Sequence, residues 1–168
     1  VEGSLGKMEL KKIVQSVIQE GCIEETISAV EAHLGAYTAQ ETSIKEALGQ
    51  IATDETRHAQ LAWNTIQWIM EKFPETHSFV METFSNQIDG LQQNLILQQG
   101  HSCHNFGTDD AFRGYGLVIA CDRDRIRQAV MEDIIEAAYP KGWKDVSMIS
   151  EQIKKFDFDF LQHKSEHP

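Results

Sequence analysis

Apolar residues recur at three- and four-residue steps over the first 73 residues, in two runs separated by a short polar stretch. Because an α-helix has about 3.6 residues per turn, this spacing places the apolar side chains on one helical face. The pattern predicts one helix over residues 7–37 and a second over 40–73. The repeating positions are Leu10, Val14, Ile18, Gly21, Ala29 and Ala32 in the first run, and Ile44, Leu48, Ile51, Ala62, Ile66 and Ile69 in the second.

The polar stretch between the runs, Thr38-Ala39-Gln40-Glu41-Thr42, predicts a turn near residue 40. Thr38 and Glu41 have the spacing of a capping box, and Thr42 is the alternative cap of the second helix. A short connection makes consecutive helices neighbours in space. Residues 1–73 are therefore predicted to form an antiparallel helical hairpin.

Two further helices are predicted after Pro74, which ends the second helix because proline cannot continue the hydrogen-bond ladder. The third, over 75–99, repeats Val80, Phe84, Ile88, Leu91 and Leu95, and the fourth, from Asp122 as N-cap to Pro140, repeats Ile126, Val130, Ile134 and Ala137. A glycine-containing loop, 100–116, separates them. The predicted fold class is all-α, with the hairpin at 1–73, a helical extension at 74–140 and a tail at 141–168.

The tail contains Phe156-Asp157-Phe158-Asp159-Phe160, in which aromatic residues alternate with period two. In an extended conformation this alternation sends the three rings to one side. The tail is expected either to fold onto its own helices or to pack as an arm on a partner chain.

The composition is that of a globular domain, with 41% hydrophobic and 24% charged residues in 168. The net charge of −11 argues against a nucleic-acid or anionic-membrane surface, since those partners attract basic faces. The dense basic cluster Arg123, Arg125 and Arg127 alternates with acidic residues, and we interpret it as the solvated start of a helix, with a phosphate site as the alternative. No apolar run approaches the roughly 20 residues that cross a bilayer.

Three cysteines, Cys22, Cys103 and Cys121, form no Cys-x-x-Cys pair. This favours a reducing, intracellular compartment over a disulfide scaffold, and a Cys103 to Cys121 bridge is the alternative. The stretch His101-Ser102-Cys103-His104 suggests zinc, but structural zinc normally uses two separated ligand pairs and the sequence shows no second pair. A polar loop is the preferred interpretation.

The second helical run carries Glu55-Thr56-Arg57-His58, a Glu-x-x-His pair. By the apolar periodicity, Glu55 and His58 occupy the next two positions of the predicted buried face. A carboxylate on a buried face is unfavourable by several kcal/mol unless a cation or a hydrogen-bond donor compensates it. The pair therefore suggests a metal ion, with a chance surface pair as the alternative.

Glu25 lies on the apolar face of the first helix, four residues before Ala29. Glu25 and Glu55 are each fifteen residues from the predicted turn, so at about 1.5 Å per residue both stand roughly 22 Å from it. Antiparallel packing then places the two carboxylates side by side, at the same distance from the turn. Glu24 is the alternative ligand, about 100 degrees away around the helix.

The runs Glu20-Gly21-Cys22-Ile23-Glu24-Glu25-Thr26 and Ile51-Ala52-Thr53-Asp54-Glu55-Thr56-Arg57-His58-Ala59-Gln60-Leu61-Ala62-Trp63 resemble the second half of ferritin-like proteins. In such proteins each half supplies one Glu and one Glu-x-x-His, and the four helices together hold two metal ions. The resemblance, which covers roughly residues 8–140, implies that Glu25, Glu55 and His58 are metal ligands. Its Gly-Cys context favours Glu25 over Glu24.

The resemblance implies redox chemistry at two iron ions, or at iron with manganese, with oxidase, peroxide-consuming or iron-handling activity. The ligand set is half complete, since the chain has no second Glu-x-x-His. The missing half is expected either upstream of Val1, where an initiator Met is absent, or in a second copy of the hairpin about a two-fold axis. A non-catalytic helical subunit of a larger assembly is the alternative function.

Three residues near the pair have less specific roles. Asp54 is four residues from His58 and is expected to orient it or to pair with Arg57 or solvent. Trp63 and Trp68 follow His58 on the same helix, and packing against a neighbouring helix is preferred over a role in shaping the metal pocket.

Overall fold

The chain is all-α in the computed structural model, which describes residues 5–98, 111–136 and 146–158. The main α-helices within these ranges are α1 (Leu5–Ser16), α2 (Glu25–Thr38), α3 (Thr42–Lys72), α4 (His77–Gln98), α5 (Ala120–Val130) and α6 (Ile149–Lys154). A π-helical segment, Val17–Glu24, joins α1 to α2, and a second, Met131–Glu136, continues α5. A 3₁₀ turn, Pro74–Thr76, precedes α4. The all-α prediction is confirmed, and the limits of the first three predicted helices agree with these bounds to within a few residues.

Residues 5–72 form an antiparallel hairpin in which one continuous helical rod, from α1 through α2, lies against α3. The Trp63 indole N–H donates to Thr26 Oγ1 at 3.1 Å. Nearer the turn, His33 Nε2 lies 3.3 Å from Thr56 Oγ1. Partners later on α2 thus meet residues earlier on α3, and the chain reverses at residues 39–41, where the sequence predicts the turn.

The predicted cap of α3 is wrong. Glu41 holds the N-cap position of α3 with no side-chain cap bond. The Thr38 hydroxyl instead donates backwards to the Leu34 carbonyl at 3.0 Å, because Thr38 is still inside α2 and its hydroxyl reaches the carbonyl one turn earlier. The Gln40 N–H donates to the Gly114 carbonyl at 2.9 Å, so a distant loop supports the turn.

A single hydrophobic core contains residues of the hairpin, the extension and the tail. Val14 and Ile27 from the first rod, Phe84 from α4, Ile126 from α5 and Ile153 from α6 are all at most 1% exposed. α3 ends at Lys72, and the 3₁₀ turn begins at Pro74. The hairpin therefore uses the later helices to cover its apolar face.

The predicted buried face of α3 is correct at Ala62, Ile66 and Ile69, but the structure differs from it nearer the start of the helix. The buried residues of α3 are Ala52, Thr56, Ala59, Ala62, Trp63, Ile66 and Ile69. Ile51 is 48% exposed, and the side chains of Glu55 and His58 are 28% and 60% exposed. Small residues and a threonine, which carry little apolar weight in the pattern, occupy the centre of the buried face. Glu55 and His58 therefore lie at its edge.

Gly116 closes the loop that supports the hairpin turn, and it has a positive φ of 74 degrees. A Cβ atom there would meet the side chain of Leu48 and stand 3.0 Å from the Gly35 carbonyl oxygen. The position therefore requires glycine both for its backbone conformation and for its contacts.

We expect Gly116→Ala to lower the free energy of unfolding by about 1–3 kcal/mol, because it combines backbone strain with overpacking. Gly49→Ala is the matched control, since Gly49 lies inside α3 with no atom within 4 Å of the added Cβ. It should stabilise the protein by about 0.5–1 kcal/mol through helix propensity. Urea unfolding of both variants measures the difference, and equal effects would contradict the close approach at Gly116.

The start of α5 differs from its prediction. Ile119, not Asp122, holds the N-cap position, and Asp122 is 2% exposed in a bidentate pair with Arg113 at 2.7 and 3.0 Å. Arg123 and Arg127 pair with Glu31 and Glu24 at 3.2 and 3.1 Å. The interpretation of this cluster as a solvated helix start is therefore wrong for two of its arginines, which contact the acidic side of the first rod.

The described part of the tail folds onto its own chain. Ile149 and Ile153 of α6 enter the core, and the Phe158 ring stacks on Tyr37 with centroids 6.0 Å apart. No helix was predicted for residues 149–154, although the spacing of these two isoleucines is helical. Phe160 lies outside the described residues.

Candidate metal centre

The π-helical segment ends immediately before Glu25. The Glu25 N–H donates to the Glu20 carbonyl five residues earlier, which is the π pattern. Such segments insert an extra residue into a helix and so rotate the following side chains, and they occur frequently at functional sites. Helical periodicity alone contains no signal for this insertion, and sequence reasoning missed it.

The first rod and α3 approach each other closely beside the site. A Cβ atom at Gly21 would stand 2.5 Å from the Cβ of Ala62. Two small residues at the crossing thus allow the helix backbones to come together. This close packing fixes the separation of Glu25, one turn after Gly21, from the residues of α3 that face it.

Glu25, Glu55 and His58 come together across the two helices. One potential ligand atom from each residue lies within 4.8 Å of the other two. His58 Nδ1 lies 3.3 Å from Glu55 Oε2. Glu25 and Glu55 are half-buried and His58 is exposed, so the group opens to the surface at a groove of about 350 Å³. In the described part of the chain, this is the one group of three or more His, Cys, Asp or Glu residues whose ligand atoms lie this close together.

Glu24 and Asp54, the acidic residues next to Glu25 and Glu55 in sequence, face elsewhere. Glu24 pairs with Arg127 at 3.1 Å, which turns it towards α5 rather than towards Glu55. Asp54 pairs with Arg57 at 2.9 Å, one of the two outcomes expected for it. The geometry therefore selects Glu25 over Glu24 as the neighbour of the Glu-x-x-His pair.

The carboxyl groups of Glu25 and Glu55 shift each other's pKa in opposite directions. A hydrogen bond to Glu55 raises the pKa of Glu25 to about 7, assisted by desolvation and by the negative charge of Glu55, while His58 acts in the opposite direction. The same hydrogen bond lowers the pKa of Glu55, with desolvation opposing it and His58 reinforcing it. Glu25 is thus the protonated donor and Glu55 the ionised acceptor. A cation at this position would replace the proton of Glu25.

Metal affinity should therefore fall with decreasing pH. A raised pKa means that Glu25 retains its proton up to about pH 7. An ion that requires the carboxylate must displace that proton, so Mn²⁺ affinity should fall about tenfold per pH unit below 7. Calorimetric titration at pH 6, 7 and 8 measures the slope. Glu24→Gln is the control and should keep it, whereas a pH-independent affinity would argue against Glu25 as a ligand.

The other residues considered from the sequence do not join this group. Trp63 is fully buried and stacks on Phe84 with centroids 5.3 Å apart, in agreement with a packing role. Trp68 is 53% exposed and meets Phe73 edge-on. Cys22 is a buried free thiol whose pKa is raised by desolvation.

Two predictions concern residues that the structure does not describe. The stretch His101-Ser102-Cys103-His104 lies outside the described residues, and the side chain of Cys121 is likewise not described. The zinc and disulfide alternatives therefore stay predictions.

Comparison with known proteins gives no family. No protein-family model matches the chain, and no curated protein or solved structure matches it either. Among the described helices, none combines the length and the apolar character needed to cross a membrane. The ferritin-like resemblance thus stays a prediction from the two quoted runs.

Proposed function

We propose that this protein binds a divalent transition-metal ion through Glu25, Glu55 and His58. One observation carries the proposal. Two carboxylates and one imidazole, from helices thirty residues apart in sequence, place ligand atoms within 4.8 Å of one another. Carboxylate and imidazole groups together suit iron, manganese and zinc better than calcium or copper(I).

The donor set fits an ion of this kind. Ligand atoms about 2.0–2.2 Å from one ion stand roughly 3 Å from each other. The 3.3 Å between His58 Nδ1 and Glu55 Oε2 is close to that value. Small rotations of the partly exposed Glu25 side chain would bring its carboxylate to the same distance from the ion. The raised pKa of Glu25 supports the same conclusion, since it reflects two carboxyl groups held together without a compensating cation.

A second helical hairpin completes the site in this proposal. Three protein ligands leave coordination positions open, and a two-metal centre of the ferritin-like kind needs twice this donor set. The groove beside the ligands is lined by small and apolar residues such as Val17, Gly21 and Leu61, and Leu61 is 66% exposed. A second copy of this hairpin, or a preceding half of the same polypeptide, would cover that surface and add its own ligands.

The chemistry that two iron ions, or iron with manganese, supply when bound is redox chemistry with dioxygen or peroxide. This chain's own residues would hold the ions and keep one side of the site open. Oxidase, peroxide-consuming and iron-handling activities are the candidates. The non-catalytic helical subunit remains the alternative, because the exposed Ile13, Ile51 and Leu61 also suit a purely structural interface.

Anaerobic titration with Fe²⁺, combined with sedimentation analysis, tests this proposal. The expected result is saturation at about one ion per chain, with the metal-bound protein sedimenting as a two-hairpin species. Association that is unchanged by metal, together with no saturable Fe²⁺ binding, would favour the structural subunit.

A further inference from the structure

A second groove lies at the turn end of the hairpin, away from Glu25 and Glu55. It has a volume of about 720 Å³, and its walls come from α2, the start of α3, the end of α6 and the segment after it. Its polar and aromatic lining includes His33, Tyr37, Lys45, Lys154, Lys155 and Phe158. Ten residues of α3 separate Lys45 from Glu55, about 15 Å along the helix, so the two sites are distinct.

The groove is locally basic in an acidic protein. Three lysines and one carboxylate, Asp157, line it, whereas the whole chain has a net charge of −11. Glu151 pairs with Lys154 and Lys155 at 3.3 and 3.5 Å and offsets part of their charge. Lys45 has no ion-pair partner within the described residues. A concave surface with this excess of positive charge attracts small anions.

His33 contributes an acceptor of known orientation. The Thr56 hydroxyl donates its one hydrogen to the Ala52 carbonyl at 2.6 Å, so Thr56 Oγ1 must accept from His33 Nε2. His33 is therefore the Nε2–H tautomer, and its Nδ1 keeps a lone pair that no hydrogen bond within the described part of the chain uses. Burial and the charge of Lys154 both lower the pKa of His33, which keeps this lone pair available.

An aromatic wall completes the groove. Tyr37 and Phe158 are stacked at 6.0 Å with 25 degrees between their planes, and Phe156 lies 5.6 Å from Phe158. Tyr37 is 58% exposed, so its side chain is accessible from solvent. Flat aromatic groups stack favourably on such surfaces.

We propose that this groove binds a nucleoside monophosphate, or a closely similar aromatic phosphomonoester. The lysines bind the phosphate, the aromatic wall stacks with the base, and His33 Nδ1 accepts a hydrogen bond from an N–H of the base. The groove volume lies in the range of about 300–1,000 Å³ that is usual for small-molecule sites. The proposal is independent of the metal centre, because none of these residues belongs to the metal-ligand group.

Calorimetric titration of the full chain with AMP, in the presence of EDTA to remove metal ions, tests the proposal. Adenosine and inorganic phosphate are the comparison ligands, and each should bind at least about tenfold more weakly than AMP. Lys45→Glu should weaken AMP binding by about tenfold or more, because it reverses a charge at the phosphate. Tyr37→Leu should weaken AMP binding without changing the affinity for inorganic phosphate.

Lys72→Glu is the matched control. Lys72 is an exposed lysine at the far end of the same helix, so the variant changes the net charge equally but leaves the groove intact. When titrated in about 0.15 M salt, which screens distant charges, this variant should bind AMP within about twofold of the affinity of the original protein. Equal losses in Lys45→Glu and Lys72→Glu, equal affinities for AMP and inorganic phosphate, or no saturable AMP binding would each overturn the proposal.

Discussion

Replacing Glu55 with glutamine should lower the affinity for Mn²⁺ or Fe²⁺ by about 100-fold or more, because the amide keeps the shape of the side chain but removes its charge. Glu55 is central to the group, since it hydrogen-bonds to Glu25 and lies 3.3 Å from His58. The variant also removes the carboxylate that raises the pKa of Glu25, so the dependence of the remaining affinity on pH should flatten. Calorimetric titration at pH 6, 7 and 8 measures both effects.

Asp54→Asn is the control for this substitution. It makes the same chemical change one residue earlier, on a side chain that is 50% exposed and paired with Arg57. Metal affinity should change by less than about threefold, since an exposed ion pair contributes little. Equal losses in the two variants would mean that metal binds through the general negative charge of the helix and not through a built site.

Replacing Trp63 with alanine should produce the largest loss of stability, about 3–5 kcal/mol, which corresponds to a melting temperature roughly 10 °C lower. Trp63 is fully buried, stacks on Phe84 and donates its indole N–H to Thr26. The truncation leaves a cavity between the rod and α3 and removes the donor from a buried hydroxyl. Thermal unfolding followed by circular dichroism measures the effect.

Trp68→Ala provides the comparison, because it removes the same side chain from the same helix at a position that is 53% exposed. The expected loss is less than about 1 kcal/mol, since little of the ring leaves water on folding. Similar losses in the two variants would contradict the observed orientation of α3.

The hairpin was predictable because local signals determine it. Apolar spacing in the sequence predicts both helices. The polar turn near residue 40 lies between α2 and α3, and Pro74 lies just after the end of α3. The level placement of Glu25 and Glu55 follows from counting residues to that turn. The structure brings both carboxylates to His58 as that count predicts.

The parts that the sequence did not reveal depend on partners far away in the chain. The π-helical segment before Glu25 rotates the following side chains around the helix axis, and no single residue type predicts such a segment. The pairing of Glu24 with Arg127 joins residues more than 100 positions apart. The exposure of Glu55 and His58 depends on which face the later helices cover. Apolar periodicity reports the middle of a helical face better than its edges, and these two candidate ligands lie at an edge.

The position of Glu55 and His58 at the edge of the buried face leaves room for a second hairpin. A metal site fully enclosed within one hairpin would leave no place for a second half. Here the three side chains open towards a groove with an exposed Leu61, so another hairpin can approach them. The site and the expected interface therefore occupy one surface.

Metal analysis of the protein purified from its native source, combined with the intact mass of the assembly, is the decisive test of a metal centre at Glu25, Glu55 and His58. We expect about one iron or manganese ion per chain, in an assembly that contains two hairpins with matching ligands. A content below about 0.2 ion per chain in the intact assembly would contradict a metal centre at Glu25, Glu55 and His58.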